Sequence, residues 1–156
     1  MTTISQKDPV PEAVKNMIPP DQSGISYVAK RYIVEALTAG NANAFAFAVQ
    51  NPEGVDCVVT NVVMDLTTAG GTASSVLDVD VDVAADATST GDSIIDGLDL
   101  NQTGAFDRHK NAGSSGGAPV KWDKNGGTND YVTGKILVQN ATSLVGTVII
   151  EYVPLS

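Results

Sequence analysis

The amino-acid sequence predicts an all-β protein, a jelly-roll-like β-sandwich of about eight strands with an extended N-terminal arm. Apolar and polar residues alternate along many short segments, which is the period-two pattern of strands with one buried face. Gly, Pro, Asn and Asp residues separate these segments at short intervals, and almost no segment has a helical period. A chain of 156 residues suits one domain, and such a domain buries a core without disulfides or a metal.

Composition divides the chain into an arm at residues 1–24 and a sandwich domain at residues 25–156. The prolines of the arm favour extended chain, and a few apolar side chains lie between them. The arm is interpreted either as a frayed terminus or as a segment that lies on a neighbouring subunit. In the second interpretation the candidate partner-binding residues are Val10, Val14, Met17, Ile18, Pro19 and Pro20.

The first two strands are predicted at residues 25–39 and 43–49. Both faces of the first strand are partly apolar, so we expect it to contact a second sheet or a second chain. Two further long strands, joined by a Gly/Ala/Thr/Ser turn region, are predicted within residues 55–84. On the first of these, Val58 and Val62 lie on the same face, together with Met64 and Leu66.

The second strand of that region has two sets of alternating side chains, Asp78, Asp80 and Asp82 on one face and Val79, Val81 and Val83 on the other. Carboxylates at i and i+2 of a strand lie roughly 7 Å apart, too far for all three to hold one ion without other ligands. The aspartates are therefore interpreted as a solvated acidic face. The alternative interpretation is a metal site that also uses Asp86 or Asp92.

The C-terminal half is predicted to contain two short strands around a Gly turn at 93–100, a long irregular loop at 101–128, and strands at 129–140 and 143–154. Trp122, the only tryptophan, is expected to pack back onto the sandwich. The candidate core residues are Tyr131, Ile136, Val138, Val148, Ile150 and Tyr152. Pro154 is expected to end the sheet because it cannot donate to the ladder.

Composition disfavours several classes of function. A net charge of −9 with few, scattered Lys and Arg residues argues against a nucleic-acid or anionic membrane partner. Cys57 is expected to be a buried thiol and His109 a surface residue, and the G-x-S-x-G match at 113–117 lacks the strand and helix that the motif needs. We predict no catalytic, cofactor-binding or metal-ligating residue, no cofactor and no enzymatic activity. No signal segment or spanning-length apolar run is found, so synthesis in a cytoplasm is expected.

Three parts of the sequence together resemble one protein family: the stretch from FAFAVQNPEG to IIDGLDLN (45–101), the segment YVTGKILVQNATSLVGTVIIEYVP (131–154), and the proline-bearing arm. They are similar to the small head decoration (cement) proteins of tailed bacteriophages and to related prophage virion proteins. The resemblance implies a β-sandwich subunit, commonly a homotrimer, on the outer capsid surface of the virion, where it bridges neighbouring major capsid proteins. The alternative is a receptor- or carbohydrate-binding module of a phage tail, which would have a concave aromatic or acidic site.

Overall fold

The computed structural model of the protein describes residues 29–85 and 91–155. These residues contain nine β-strands and no helix, so no helix that could span a membrane is found among them. The strands are β1 (Arg31–Ala36), β2 (Phe45–Gln50), β3 (Cys57–Thr68), β4 (Val76–Asp82), β5 (Ile95–Asp99), β6 (Gly104–Asp107), β7 (Val120–Trp122), β8 (Tyr131–Leu137) and β9 (Val145–Pro154). The prediction of an all-β fold is confirmed.

The strands form two antiparallel sheets. Sheet I has the order β1-β9-β3-β6, with β7 also paired to β3, and sheet II has the order β2-β8-β4-β5. Strands that follow each other in sequence often belong to opposite sheets, as β3 and β4 do and again β8 and β9. The β-sandwich is confirmed. Its strand order is compatible with a jelly roll, which stays a prediction.

Both sheets contribute side chains to one hydrophobic core. Val62, Met64 and Ile150 enter it from sheet I, and Leu77 and Ile136 enter it from sheet II, all of them fully buried. Alternation along each strand places them there because successive side chains point to opposite faces. Burial of one such side chain contributes about 1.5–3 kcal/mol relative to exposure. This shared core is therefore what holds the two sheets together.

A β-bulge at Thr60 changes which side chains of β3 face the core. Val59 and Val62 are both buried, although they lie three positions apart. Val58 is half-buried and pairs with Val153 on the opposite face. The prediction that Val58 shares a face with Val62 is wrong, because the extra residue of a bulge reverses the alternation.

Two segments differ from the predicted pattern in the C-terminal half. Residues 93–100 contain the single strand β5, because Gly97 adopts a φ of 74° within the strand and does not reverse the chain. Residues 101–128, predicted to be irregular, contain β6 and β7, which are 4 and 3 residues long. Strands this short have too few residues to show the alternation that identifies longer ones.

Most of the predicted C-terminal core residues are confirmed. The buried ones are Ile136, Val148, Ile150 and Tyr152, and Tyr131 is half-buried. Val138 is 66% exposed and has a φ of 67°, so its predicted burial is wrong. It follows the last residue of β8, where the chain leaves sheet II. Strand β9 ends at Pro154, as predicted.

Candidate interaction surface

Strand β1 is an edge strand with large apolar side chains on its outer side. Among the described residues it pairs with β9 alone, over its whole length and without a register shift. Ile33 packs against the core, while Tyr32 and Val34 point away from it and are 60% and 61% exposed. The expected contact with the second sheet is therefore made through the core, and a contact of the outer face with a second chain stays a prediction.

The apolar surface continues from β1 across sheet I. Val34 pairs with Ile149 of β9, and Ile149 pairs with Val63 of β3, so the three side chains lie side by side on the outer face. Ile149 and Val63 are half-buried. We call Tyr32, Val34, Ile149 and Val63 the outer apolar row. Contiguous apolar surface is typical of interaction sites, so this row is the candidate interaction surface of the described chain.

A charged group borders the outer apolar row at Glu151, which pairs with Tyr32 in the sheet. The Lys30 ammonium lies 2.8 Å from Glu151 Oε1, and the Thr60 hydroxyl donates to the same oxygen at 2.6 Å. These two hydrogen bonds, that of Lys30 first, hold the pKa of the Glu151 carboxyl below its ordinary value. The row therefore has a polar rim, as protein interfaces commonly do.

The N-terminal end of β1 is fixed to the rest of the domain by Glu53. The Arg31 guanidinium and the Tyr152 hydroxyl both donate to Glu53 Oε1. The hydrogen bond from Arg31 lowers the pKa of Glu53, and burial, with the contact to Glu53, raises the pKa of Tyr152 to about 12. These contacts tie β1 to β9 and to the turn before β3, which gives the outer apolar row a rigid support.

The six predicted partner-binding residues of the arm, Val10, Val14, Met17, Ile18, Pro19 and Pro20, lie outside the described residues and stay predictions. The described chain begins at residue 29, directly before β1. The arm therefore leads into the strand that carries Tyr32 and Val34.

The prediction of a solvated acidic face on β4 is wrong for two of its three aspartates. Asp80 and Asp82 are 7% and 8% exposed, and Asp78 is half-buried. Ser93 covers Asp80 and donates to its Oδ2 from the backbone amide and from the hydroxyl, at 3.3 and 2.9 Å. Thr133 of the neighbouring strand β8 donates its hydroxyl to Asp82. Residues distant in sequence therefore cover this face.

Burial also affects the pKa of two aspartates on this face. Desolvation raises the pKa of Asp82, although the hydrogen bond from Thr133 acts in the opposite direction. Desolvation also raises the pKa of Asp78, although the Gly97 amide, 2.7 Å from Asp78 Oδ1, opposes this effect. In the described part of the chain no cluster of three or more His, Cys, Asp or Glu residues could hold a metal ion. Asp86, which the metal interpretation included, lies outside that part.

On the other face of β4, the predicted burial is confirmed for Val79, which is fully buried, and for Val81, which packs against the core. It is wrong for Val83, which is 61% exposed because β4 ends at Asp82.

Trp122 packs onto the sandwich, as predicted. Its ring is fully buried and contacts Tyr152 edge-to-face at 5.4 Å, and its Nε1 donates to Asp130 O at 2.9 Å. Cys57 is buried as expected, and desolvation raises the pKa of its thiol. His109 is exposed, also as expected.

The G-x-S-x-G match at 113–117 lies in a loop that is held by Asp96. The amides of Ser114 and Ser115 donate to Asp96 Oδ2 at 2.9 and 3.0 Å. Next to this loop is an open depression of about 280 Å³ with Asp96, Asp99 and Gln102 in its wall. Both of these aspartates already accept backbone amides, Asp99 from residue 101 at 2.8 Å.

Sequence reasoning missed Ile149 and Val63 as surface residues. The signal was present in the run TVIIEYV at 147–153, where consecutive apolar residues interrupt strict alternation and so place apolar groups on both faces of β9. Such a run also fits a strand buried on both sides, which is why the pattern alone does not identify the exposed face.

The chain was compared with protein families, curated proteins and solved structures. No protein-family model matches the chain, and no curated protein matches it. Among solved structures, a chain described as "Cyanophage Pam1 capsid asymmetric unit" is similar, with 18% sequence identity and a TM-score of 0.44 over 85% of this chain and 90% of that chain.

Proposed function

We propose that the chain is a structural protein of a phage virion, which binds the outer surface of an icosahedral capsid and bridges neighbouring major capsid proteins. The observation that carries the proposal is the outer apolar row, which starts at the exposed Tyr32 and Val34 and crosses sheet I to Val63. The resemblance of residues 45–101 and 131–154 to head decoration proteins supports the same role. The proposed role involves no catalysis, cofactor, nucleic acid or membrane.

Attachment combines two parts of the chain in this proposal. The sandwich contributes the outer apolar row, and the arm contributes its apolar side chains. Complete burial of one exposed side chain such as Val34 stabilises a complex by about 1.5–3 kcal/mol before the entropy losses of association are subtracted. One subunit therefore binds weakly, and a homotrimer, which is the assembly we expect, multiplies these contacts.

Cosedimentation with capsid shells tests the proposal, using shells assembled from the major capsid protein of the same phage genome. Wild-type protein is expected to sediment with the shells and to raise their melting temperature. Val34→Lys places a charge in the outer apolar row and should weaken attachment at least tenfold. The matched control is Val83→Lys, which changes an equally exposed valine at the end of β4, 61% exposed in both cases. Absence of wild-type binding, or equal loss with both variants, contradicts the proposal.

Deletion of residues 1–24 tests the arm separately. The truncated protein is expected to keep its circular dichroism spectrum and melting temperature but to occupy fewer shell sites. Equal shell occupancy by truncated and full-length protein would show that the arm has no part in attachment.

Native mass spectrometry, with and without a chelator, measures the expected trimer. A trimer that dissociates with chelator would show a metal site.

The alternative, a carbohydrate- or receptor-binding module, is less well supported by the described surface. The depression beside Asp96 is acidic, but in the described part of the chain no aromatic side chain lines it, and its aspartates already accept hydrogen bonds from backbone amides. Glycan-array binding by the purified protein, together with no binding to shells, would favour this alternative.

A further inference from the structure

Strand β1 has backbone hydrogen-bonding groups on its open side. The amide of Leu37 donates to Gly146 O of sheet I at 2.9 Å. Hydrogen-bonded and non-hydrogen-bonded residues alternate in antiparallel pairing, so the odd-numbered residues of β1 bond to β9. Tyr32 and Val34 therefore direct their N–H and C=O groups away from β9. Among the described residues no second strand meets them, and such an edge is a template for another strand.

The side chains of β1 are complementary to those of a second copy of β1 in one antiparallel register. If the strand pairs antiparallel with a second copy of itself about a two-fold axis at Ile33, Tyr32 lies opposite the partner's Val34. In the same register Arg31 lies opposite the partner's Glu35. The two-fold axis forms each of these pairs twice. Opposite charges and apolar residues directly across a strand pair are both favourable.

Neighbouring registers do not have this complementarity. A shift by one residue places core-facing positions opposite outward-facing ones, so the outer faces of the two sheets no longer match. A shift by two residues in one direction places Ile33 opposite Glu35, and in the other direction it places Arg31 opposite Ile33. The register centred on Ile33 is therefore the one that combines matched faces with paired charges.

From this complementarity we infer that β1 joins two copies of the chain edge to edge, extending sheet I into one continuous sheet across a two-fold axis. The Arg31 side chain remains 52% exposed while it contacts Glu53, so its guanidinium is accessible to a second carboxylate. Glu35 is exposed, and it takes part in none of the ion pairs among the described residues. The contact leaves Tyr32 and Val34 on the outer face, which becomes apolar across both copies.

Charge reversal tests the contact without any capsid, so its outcome is independent of the proposed function. Sedimentation equilibrium of the full chain should show reversible association into even-numbered species, dimers or pairs of trimers. Glu35→Arg should weaken this association about tenfold, because it replaces two attractive pairs by two repulsive ones. Arg31→Glu should weaken it at least as much, since it also removes the contact of Arg31 with Glu53, so Glu35→Arg is the decisive single variant. The double variant restores both intersubunit pairs but not the contact with Glu53, so it should bind more tightly than Arg31→Glu alone. The control Asp99→Arg changes an exposed carboxylate on β5 and should have no effect.

Disulfide trapping tests the register. Residues that exchange both backbone hydrogen bonds in an antiparallel pair have Cα atoms about 5.5 Å apart, within disulfide range. The double variant Tyr32→Cys/Val34→Cys should therefore form a covalent dimer on mild oxidation. Each single variant should not, since position 32 lies opposite position 34 and not opposite itself. Cys57 is buried and should not interfere.

Three results would overturn the inference. The first is a protein that is monomeric, or trimeric only, at all concentrations. The second is an even-numbered association that charge reversal leaves unchanged, which places the contact elsewhere. The third is a full-length monomer that associates through β1 only after deletion of residues 1–24, which would show that the chain's own N-terminal segment covers the edge.

Discussion

Glu53 shows how one carboxylate on a turn fixes an edge strand. Its Oε1 accepts from Arg31 at the start of β1 and from the Tyr152 hydroxyl near the end of β9. The Glu53 side chain is 18% exposed, so solvent screens the pair less than it would screen a fully exposed one. The pair therefore contributes to stability as well as to the position of β1.

The substitution Glu53→Gln should change how stability depends on pH. The pKa of Glu53 is lowered in the folded protein, so on acidification the unfolded chain takes up the proton first. The stability that the carboxylate contributes is therefore present above its ordinary pKa of about 4.3 and is lost as pH falls below that value. Wild type should exceed the variant by about 1 kcal/mol at pH 7, and the difference should shrink towards pH 3.

Urea unfolding at pH 7, 4 and 3 measures this difference. Asp65→Asn is the control, because Asp65 is an exposed carboxylate on β3 of the same sheet and should give little change at any of the three values. A gap between wild type and Glu53→Gln that stays constant from pH 7 to pH 3 would refute the assignment.

The sequence predicts the burial of apolar side chains better than the burial of charged ones. Burial of Trp122 and Cys57 followed from their apolar character, but burial of Asp80 and Asp82 did not. The groups that satisfy these carboxylates are Ser93 and Thr133, which are separated from them by 13 and 51 positions. Alternation describes one strand at a time and contains no information on such partners.

At the scale of elements, long alternating segments predicted β2, β3, β4, β8 and β9 as strands. The faces of these strands were harder to predict. One extra residue at Thr60 reverses the inward side of β3, and β2 has a similar register shift between Phe45 and Phe47. A bulge leaves no mark in composition, so its position emerges from the packing of both sheets.

Strand β8 depends on a glycine to pack against β2. A Cβ atom on Gly134 would clash with the ring of Phe47, which is buried on the neighbouring edge strand β2 of sheet II. Gly134→Ala should therefore cost about 1–3 kcal/mol of unfolding free energy through overpacking. Thermal and urea unfolding measure this loss.

Two further variants separate the clash from a general effect of replacing glycine. Gly54→Ala introduces a Cβ with no atom within 4 Å and should stay within about 0.5 kcal/mol of wild type. Adding Phe47→Leu to Gly134→Ala should relieve part of the clash, so the double variant should lose less than the sum of the two single losses. Similar losses for Gly54→Ala and Gly134→Ala would contradict the packing explanation.

At the scale of the whole molecule, one core is shared by two sheets, and most pairs of consecutive strands lie in opposite sheets. Strands β3 and β4 are adjacent in sequence but belong to opposite sheets, and so do β8 and β9. Neither sheet can therefore form alone from a continuous stretch of chain. The net charge of −9 opposes non-specific association between copies, so contacts between them require local complementarity such as that of Arg31 and Glu35.

This arrangement predicts that the two sheets unfold together. Trp122 is the only tryptophan and packs on Tyr152 of sheet I, so its fluorescence reports on sheet I, whereas far-UV circular dichroism reports on all strands. Because the core joins both sheets, the two signals should give the same denaturation midpoint, as in a two-state transition. The variant Trp122→Phe/Phe45→Trp moves the probe to sheet II and should give coincident signals as well. A tryptophan transition that precedes the loss of circular dichroism in either protein would show that one sheet opens independently, and the rigid support proposed for the outer apolar row would then fail.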